Sequence, residues 1–220
     1  SAVGGKTGVN TPEGKNLLGS FHQPKLVLAD MATLKTLPDR EYREGFAEII
    51  KHAAIRDEAM VDVIEKQGES RYGLIPLIAR NVAIKAAVVE EDERETSGTR
   101  ALLNFGHTIG HAIEAAAGYG ELLHGEAISL GTIAALRLSE RIAGLPNESS
   151  QRVEALLDQF KLPRSLDGSY ETEKMLALMQ RDKKFNEGQI RFVLLRALGD
   201  AFVSDQVTTE DIRREMNALV

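Results

Sequence analysis

From Gly45 onward, apolar residues recur at the spacing of an α-helix, segment after segment, and this is what most restricts the fold. In GFAEIIKHAAI the apolar positions Phe46, Ile49, Ile50, Ala53 and Ala54 fall on one helical face. Residues 74–95 form a second such segment, with a break expected near Pro76, and HTIGHAIEAAAG forms a third, stopped by Gly118. Glu126 to Ala143 reads as one long helix closed by Gly144-Leu145-Pro146, and residues 149–160 and 171–181 give two more. The run QIRFVLLRALGDAFV, with Gly199-Asp200 between β-prone stretches, predicts a hairpin. TTEDIRREMNAL predicts a final helix capped by Thr208 or Thr209. The chain is therefore expected to be mainly α.

The front is different. Residues 1–20 hold five of the 19 glycines and read as loop. Pro24–Asp30 (PKLVLAD) reads as a short buried strand, whose backbone groups would need partners in a sheet beyond the sequence in hand. The chain opens at Ser1 directly into VGGKTG, which reads as the middle of a longer polypeptide.

Composition narrows the chemistry. The formal net charge of -6 disfavours nucleic acid as a partner but leaves room for a locally basic pocket. No apolar run is long enough to cross a bilayer. The chain has no cysteine, so it has no disulfides and no thiolate ligands, which fits a reducing compartment. Any bound metal must be held by His, Asp or Glu.

Three of the five histidines, His107, His111 and His124, lie within 18 residues in NFGHTIGHAIEAAAGYGELLHGEA. His107 and His111 are four apart and share a helix face, and His124 opens the next helix. A lone HxxxH pair is more often part of the core, but a third histidine that can fold back favours a metal site. A catalytic zinc site takes three protein ligands and keeps one position open. A carboxylate completes such a set, and Glu48, which interrupts the apolar face of its helix, is the best candidate. The spacing equally allows Glu48 to pair with Lys51 or His52. The glycine-rich start, with Lys6 after Gly4-Gly5 and Lys15-Asn16 after Gly14, has the character of an anion-cradling loop. Lys85 among apolar residues, Arg100, and Lys183-Lys184 before Asn186-Glu187-Gly188 stand out by position, though such residues are usually solvated.

Taken in order, SAVGGKTGVNTPEGKN, DMATLKTLP, GFAEIIKHAAI, KAAVVEEDERETSGTRALLNFGHTIGHAIE, HGEAISLG and DKKFNEGQIRFVLL resemble the 3-dehydroquinate synthase family over nearly the whole chain. The resemblance implies a Rossmann-like NAD domain followed by a helical metal domain. Residues 1–40 would be the remnant of the former and 41–220 the latter. It puts the metal, zinc or cobalt, on Glu48, His107 and His124. It places Lys51, Lys85, Arg100, Asn104, Asn16, His111 and Lys184 (or Lys183 beside it) around the substrate. It places Lys6, Lys15 and the stretch Thr33, Leu34, Lys35, Thr36 against NAD. The implied reaction converts 3-deoxy-arabino-heptulosonate 7-phosphate to 3-dehydroquinate and phosphate in the shikimate pathway. The resemblance further implies a cytoplasmic homodimer with a small sugar-phosphate substrate, the chain in hand being inactive by itself. Two alternatives are another sugar-phosphate cyclase or metal-dependent polyol dehydrogenase, and a non-catalytic helical metal-binding module.

Overall fold

The computed structural model describes residues 2–11, 14–118, 121–167, 170–180 and 191–220, with backbone alone for 10, 14–17 and 180. Among these residues are eight α-helices: α1 (Asp39–Arg56), α2 (Glu58–Gln67), α3 (Ile75–Glu91), α4 (His107–Ala117), α5 (His124–Leu138), α6 (Asn147–Gln159), α7 (Thr172–Gln180) and α8 (Thr209–Asn217). Two antiparallel hairpins complete the fold. One pairs β1 (Val9–Thr11) with β2 (Gly14–Leu18), and the other pairs β3 (Phe192–Ala197) with β4 (Asp200–Ser204).

The core is built around α5. Its sequence is apolar or small on nearly every side, and Ala127, Ile128, Leu130, Ile133, Ala134 and Leu136 are fully enclosed. A helix of that kind belongs inside. α1 packs against it from one side and also meets the end of α6, where Phe46 stacks on Phe160 at 3.8 Å between ring centroids. α4 packs against it from another, at backbone contact. A Cβ on Gly131 would stand 2.0 Å from the carbonyl oxygen of Gly106, so only glycine lets the two histidine-bearing helices approach this closely. A π-helical turn, Ser139–Ala143, extends α5. There the hydroxyl of Ser139 donates to Ala135 O and accepts the N–H of Leu195, tying β3 to the central helix.

The predicted helices are present, as is the hairpin at Gly199-Asp200, and Thr208 caps α8. Four details differ. Residues 1–20 are not all loop: they contain the β1–β2 hairpin, extended by a bridge between Lys6 and Phe21. Pro24–Asp30 is not a buried strand: it runs as coil with Leu26 and Leu28 82% and 88% exposed, because no described strand lies beside it to satisfy its backbone. Pro76 does not break α3, because it sits in the first turn, where a missing N–H costs nothing, and α3 ends at Glu91, not Glu95. Sequence periodicity also missed α2, a short helix burying only Met60, Val61 and Ile64.

Candidate metal and substrate site

The site lies where α1, α4 and α5 converge. α1 contributes Glu48 from its middle, α4 contributes His107 and His111 from its first two turns, and α5 begins with His124. Oε1 of Glu48 stands 3.2 Å from Nε2 of His107 and 3.4 Å from Nε2 of His124. A tetrahedral ion with bonds of about 2.0–2.1 Å separates neighbouring ligand atoms by about 3.3–3.4 Å. These two edges therefore have the length a tetrahedral divalent ion requires, and the N,N,O donor set is one that zinc accepts. His111 joins the cluster: ligand atoms of His107, His111 and His124 all lie within 4.8 Å of one another, and the His111 ring centroid is 5.1 Å from that of His107. His111 is the most exposed of the three.

Each inner histidine is oriented through its other nitrogen. Nδ1 of His107 is 3.1 Å from the carbonyl oxygen of Phe105, a contact in which the ring nitrogen can only donate, and this turns Nε2 toward Glu48. Nδ1 of His124 is 3.3 Å from Oε2 of Glu114, a carboxylate one turn beyond His111 on α4. Glu114 escaped the sequence reading, although positions 107, 111 and 114 repeat on one helix face and could have shown it.

Glu48 pairs with Lys51 and also faces the histidines. Oε2 accepts from the ammonium of Lys51 at 2.6 Å while Oε1 faces the histidines. Burial opposes the charge on Glu48, but Lys51 and then the two histidines outweigh it and hold the carboxyl well below its ordinary range. Burial lowers Lys51, against the pull of Glu48. Burial and then Lys51 lower His107. His124, held between Glu114 and Glu48, is pushed up to about 9. A metal at its Nε2 would take the place of that proton.

A row of cations flanks the cluster. Lys85 is lowered by burial and by the nearby charges of Arg100 and Lys6, and raised by Glu48, so these groups form one electrostatic neighbourhood in an acidic chain. Arg100 is only 4% exposed, and its guanidinium donates to the carbonyls of Gly4 and Glu93. The loop that holds it is wound around Asp92, whose carboxylate accepts the N–H groups of Thr96, Ser97, Gly98 and Arg100. Burial works against the charge of Asp92, and these backbone donors overcome it, holding the carboxyl far below its usual range. Lys6 pairs with Glu95 in the same loop. Asn104 closes the short 3-10 helix after Arg100, beside Gly106 and Thr108.

Thr33, Leu34 and Lys35 belong to a 3-10 turn, Met31–Lys35, capped by Thr36; Leu34 packs half-buried against the core and the other three are exposed. Arg71, unforeseen from sequence, fixes the turn by donating to the carbonyls of Leu34 and Leu37. The side chains of Lys15 and Asn16, and Lys183 and Lys184 entire, lie outside the described residues.

The chain is similar to proteins of known structure. A solved 2-epi-5-epi-valiolone synthase from Streptomyces hygroscopicus subsp. jinggangensis 5008, with NAD+ and Zn2+ bound, superimposes with a TM-score of 0.88 at 31% identity. The match covers 99% of this chain and 62% of that one. A 2-deoxy-scyllo-inosose synthase complexed with carbaglucose-6-phosphate, NAD+ and Co2+ gives a TM-score of 0.87 at 26% identity, over 100% of this chain and 63% of that one. The fold is that of the dehydroquinate synthase-like cyclases. Residues 45–185 match the family model "3-dehydroquinate synthase C-terminal" and residues 1–44 match "3-dehydroquinate synthase N-terminal". Among curated relatives, the 3-dehydroquinate synthase of Methylacidiphilum infernorum is 49% identical over 96% of this chain, and that of Nitrosomonas europaea is 48% identical over 100% of it. The chain belongs to the 3-dehydroquinate synthase family. It spans 58% and 60% of the length of those two relatives.

Proposed function

We propose that the complete protein is a 3-dehydroquinate synthase. It converts 3-deoxy-arabino-heptulosonate 7-phosphate to 3-dehydroquinate and phosphate; bound NAD+ would supply transient oxidation of one substrate alcohol to a ketone, and the NADH so formed would supply the hydride that reduces the ketone again. Residues 41–220 serve as the metal- and substrate-binding unit, and residues 1–40 belong with the nucleotide-binding part. The observation that carries this reading is the juxtaposition, in a chain of this family, of a donor set with tetrahedral edge lengths and the cations Lys51, Lys85 and Arg100.

Zinc, or cobalt, fits Glu48, His107 and His124, and when bound it supplies Lewis acidity to the substrate hydroxyls. Lys85 and Arg100 meet the substrate carboxylate, arginine through the donors not already committed to Gly4 and Glu93. His111, at the exposed side of the cluster, faces the phosphate-bearing end and can carry a proton there. Lys51 holds Glu48 ionised. Asn104, Asn16 and Lys184 line the remainder of the substrate site. Lys6, Lys15 and the turn Thr33, Leu34, Lys35, Thr36 contact NAD. Most of the catalysis is the positioning of a flexible chain so that successive steps are intramolecular. The complete enzyme works as a cytoplasmic homodimer, and the 220-residue chain alone is inactive.

The test is phosphate release by the complete protein, offered either the heptulosonate phosphate or sedoheptulose 7-phosphate, which lacks the carboxylate. A site built around a charged group rejects an analogue without it, so a preference of at least roughly 100-fold for the first is expected. Equal rates would assign the protein to another cyclase activity.

A further inference from the structure

We infer that Glu44 is a positioning residue of the metal centre, setting the height of His124 against Glu48; the inference rests on the metal reading above. Arg40, Glu44 and Glu48 lie at successive turns of α1 and so on one face of it. The first three residues of α5 are His124, Gly125 and Glu126. Each of the α1 residues engages one of them. The guanidinium of Arg40 grips both carboxylate oxygens of Glu126, at 2.6 and 2.7 Å, and also donates to the carbonyl of Glu121. Oε2 of Glu44 accepts the N–H of Gly125 at 2.6 Å. Oε1 of Glu48 faces Nε2 of His124 at 3.4 Å.

The middle contact is the one that fixes distance. The first N–H groups of a helix have no partner within it and are normally taken by a capping side chain just ahead of the helix. Here that position is Leu123, which supplies no such bond. Glu126 reaches back to the N–H of Leu123, and the N–H of Gly125 is taken by Glu44, which belongs to another helix. The start of α5 is therefore anchored to α1, one turn from the metal-facing Glu48. Gly125 admits this contact because it has no side chain. A Cβ there would stand 2.0 Å from Glu44 O and 2.7 Å from its Oε2. The separation of Glu48 from His124 thus follows from a backbone contact and one charge-assisted hydrogen bond.

The experiment compares the 220-residue chain with its Glu44→Ala, Glu44→Asp, Glu44→Gln and Gly125→Ala variants. It measures Zn2+ affinity by chelator competition, the visible absorption of the Co2+ form, and thermal unfolding without metal. Partners just outside a metal's ligands usually carry about 10–100-fold in affinity, and that loss is expected for Glu44→Ala, with altered Co2+ bands. Glu44→Asp, too short to reach Gly125, should lose as much, and it serves should Glu44→Ala fail to fold. Glu44→Gln keeps an acceptor oxygen at the same reach and should recover most of the affinity and the native Co2+ spectrum. Gly125→Ala, whose Cβ would meet the backbone of Glu44, should lose at least as much as Glu44→Ala. Zn2+ affinity and Co2+ bands unchanged in Glu44→Asp would overturn the inference while leaving the metal site standing. A wild-type chain that binds neither ion would overturn both.

Discussion

Lys51 places its ammonium 2.6 Å from one oxygen of Glu48 and leaves the other oxygen to the histidines. Lys51 is 2% exposed, so without a metal it is the main cation that keeps Glu48 ionised. Replacing it by Met leaves a half-buried carboxylate without its partner, a loss of roughly 1–3 kcal/mol in the metal-free protein. A bound divalent ion supplies the missing charge, so the loss should be smaller when zinc is present. Urea unfolding of wild type and Lys51→Met, each with and without zinc, measures this. Zinc should stabilise the variant by more than it stabilises wild type, and a smaller zinc effect in the variant would show that Lys51 assists metal binding directly.

Two donor sets share the same space: Glu48 with His107 and His124, or the three histidines alone. They make opposite forecasts for His111. With Glu48 as ligand, His107→Ala and His124→Ala should each weaken zinc by more than about 100-fold, beyond the range that outer partners carry. His111→Ala should change affinity by less than roughly 10-fold, within that outer range. Metal titration of the three variants decides the matter. A collapse of affinity in His111→Ala equal to the other two would make the histidine triad the binding set.

Glu114 meets His124 on the side away from Glu48, at 3.3 Å. A carboxylate at Nδ1 fixes the ring's tautomer and orientation and raises its basicity as a ligand. Glu114→Ala should cost about 10–100-fold in zinc affinity, while Glu114→Gln, which still offers an acceptor, should recover part of it. Isothermal titration with zinc reads both. Wild-type affinity in Glu114→Ala would reduce the contact to packing.

What the sequence could show depended on whether periodicity and partner were local. His107, His111 and His124 were legible because α4 and the start of α5 are close in sequence, and helical spacing alone groups the first two. Glu48 was legible only as a carboxylate on an apolar face, since its approach to α4 is a tertiary fact. Glu44 sits in the charged run REYREG, where a solvated face is the natural reading, and its partner is a backbone N–H 81 residues away. Asp92 lies in EEDERE and shows nothing of the four backbone donors that wrap it. α2 escaped because three buried residues are a thin stripe, although Asp57, whose side chain accepts from Met60 N–H, is an N-cap signal that was there to be read. Pro24–Asp30 misled for the converse reason: an apolar run describes a strand only when a neighbour is present to pair with it.

The last prediction concerns pH and His52. The ring is 3% exposed, and its Nδ1 lies 2.7 Å from Oδ1 of Asn81. Burial and then the charge of Lys51 lower its pKa from 6.5 to about 4, against the smaller opposing pull of Glu48 and Asn81. An unfolded chain takes up a proton at this residue as pH falls below about 6.5, while the folded protein does not until about 4. Between those values the unfolded state binds more protons, so stability increases with pH. His52 therefore contributes nothing adverse above about 7, and its cost grows as the medium is acidified from there to about 4. The full effect is on the order of 3 kcal/mol. His52→Gln removes the titrating ring and keeps a side chain able to hydrogen-bond Asn81. In unfolding free energies of both metal-free proteins, measured from pH 7.5 to 4.5, wild type should lose stability relative to the variant as pH falls, with the variant's profile shallower by up to about 1.4 kcal/mol per pH unit. His107, His124 and the carboxylates titrate in both proteins, so only the difference between the profiles bears on His52. Parallel profiles would mean that His52 takes up its proton as readily in the folded protein as in the unfolded chain.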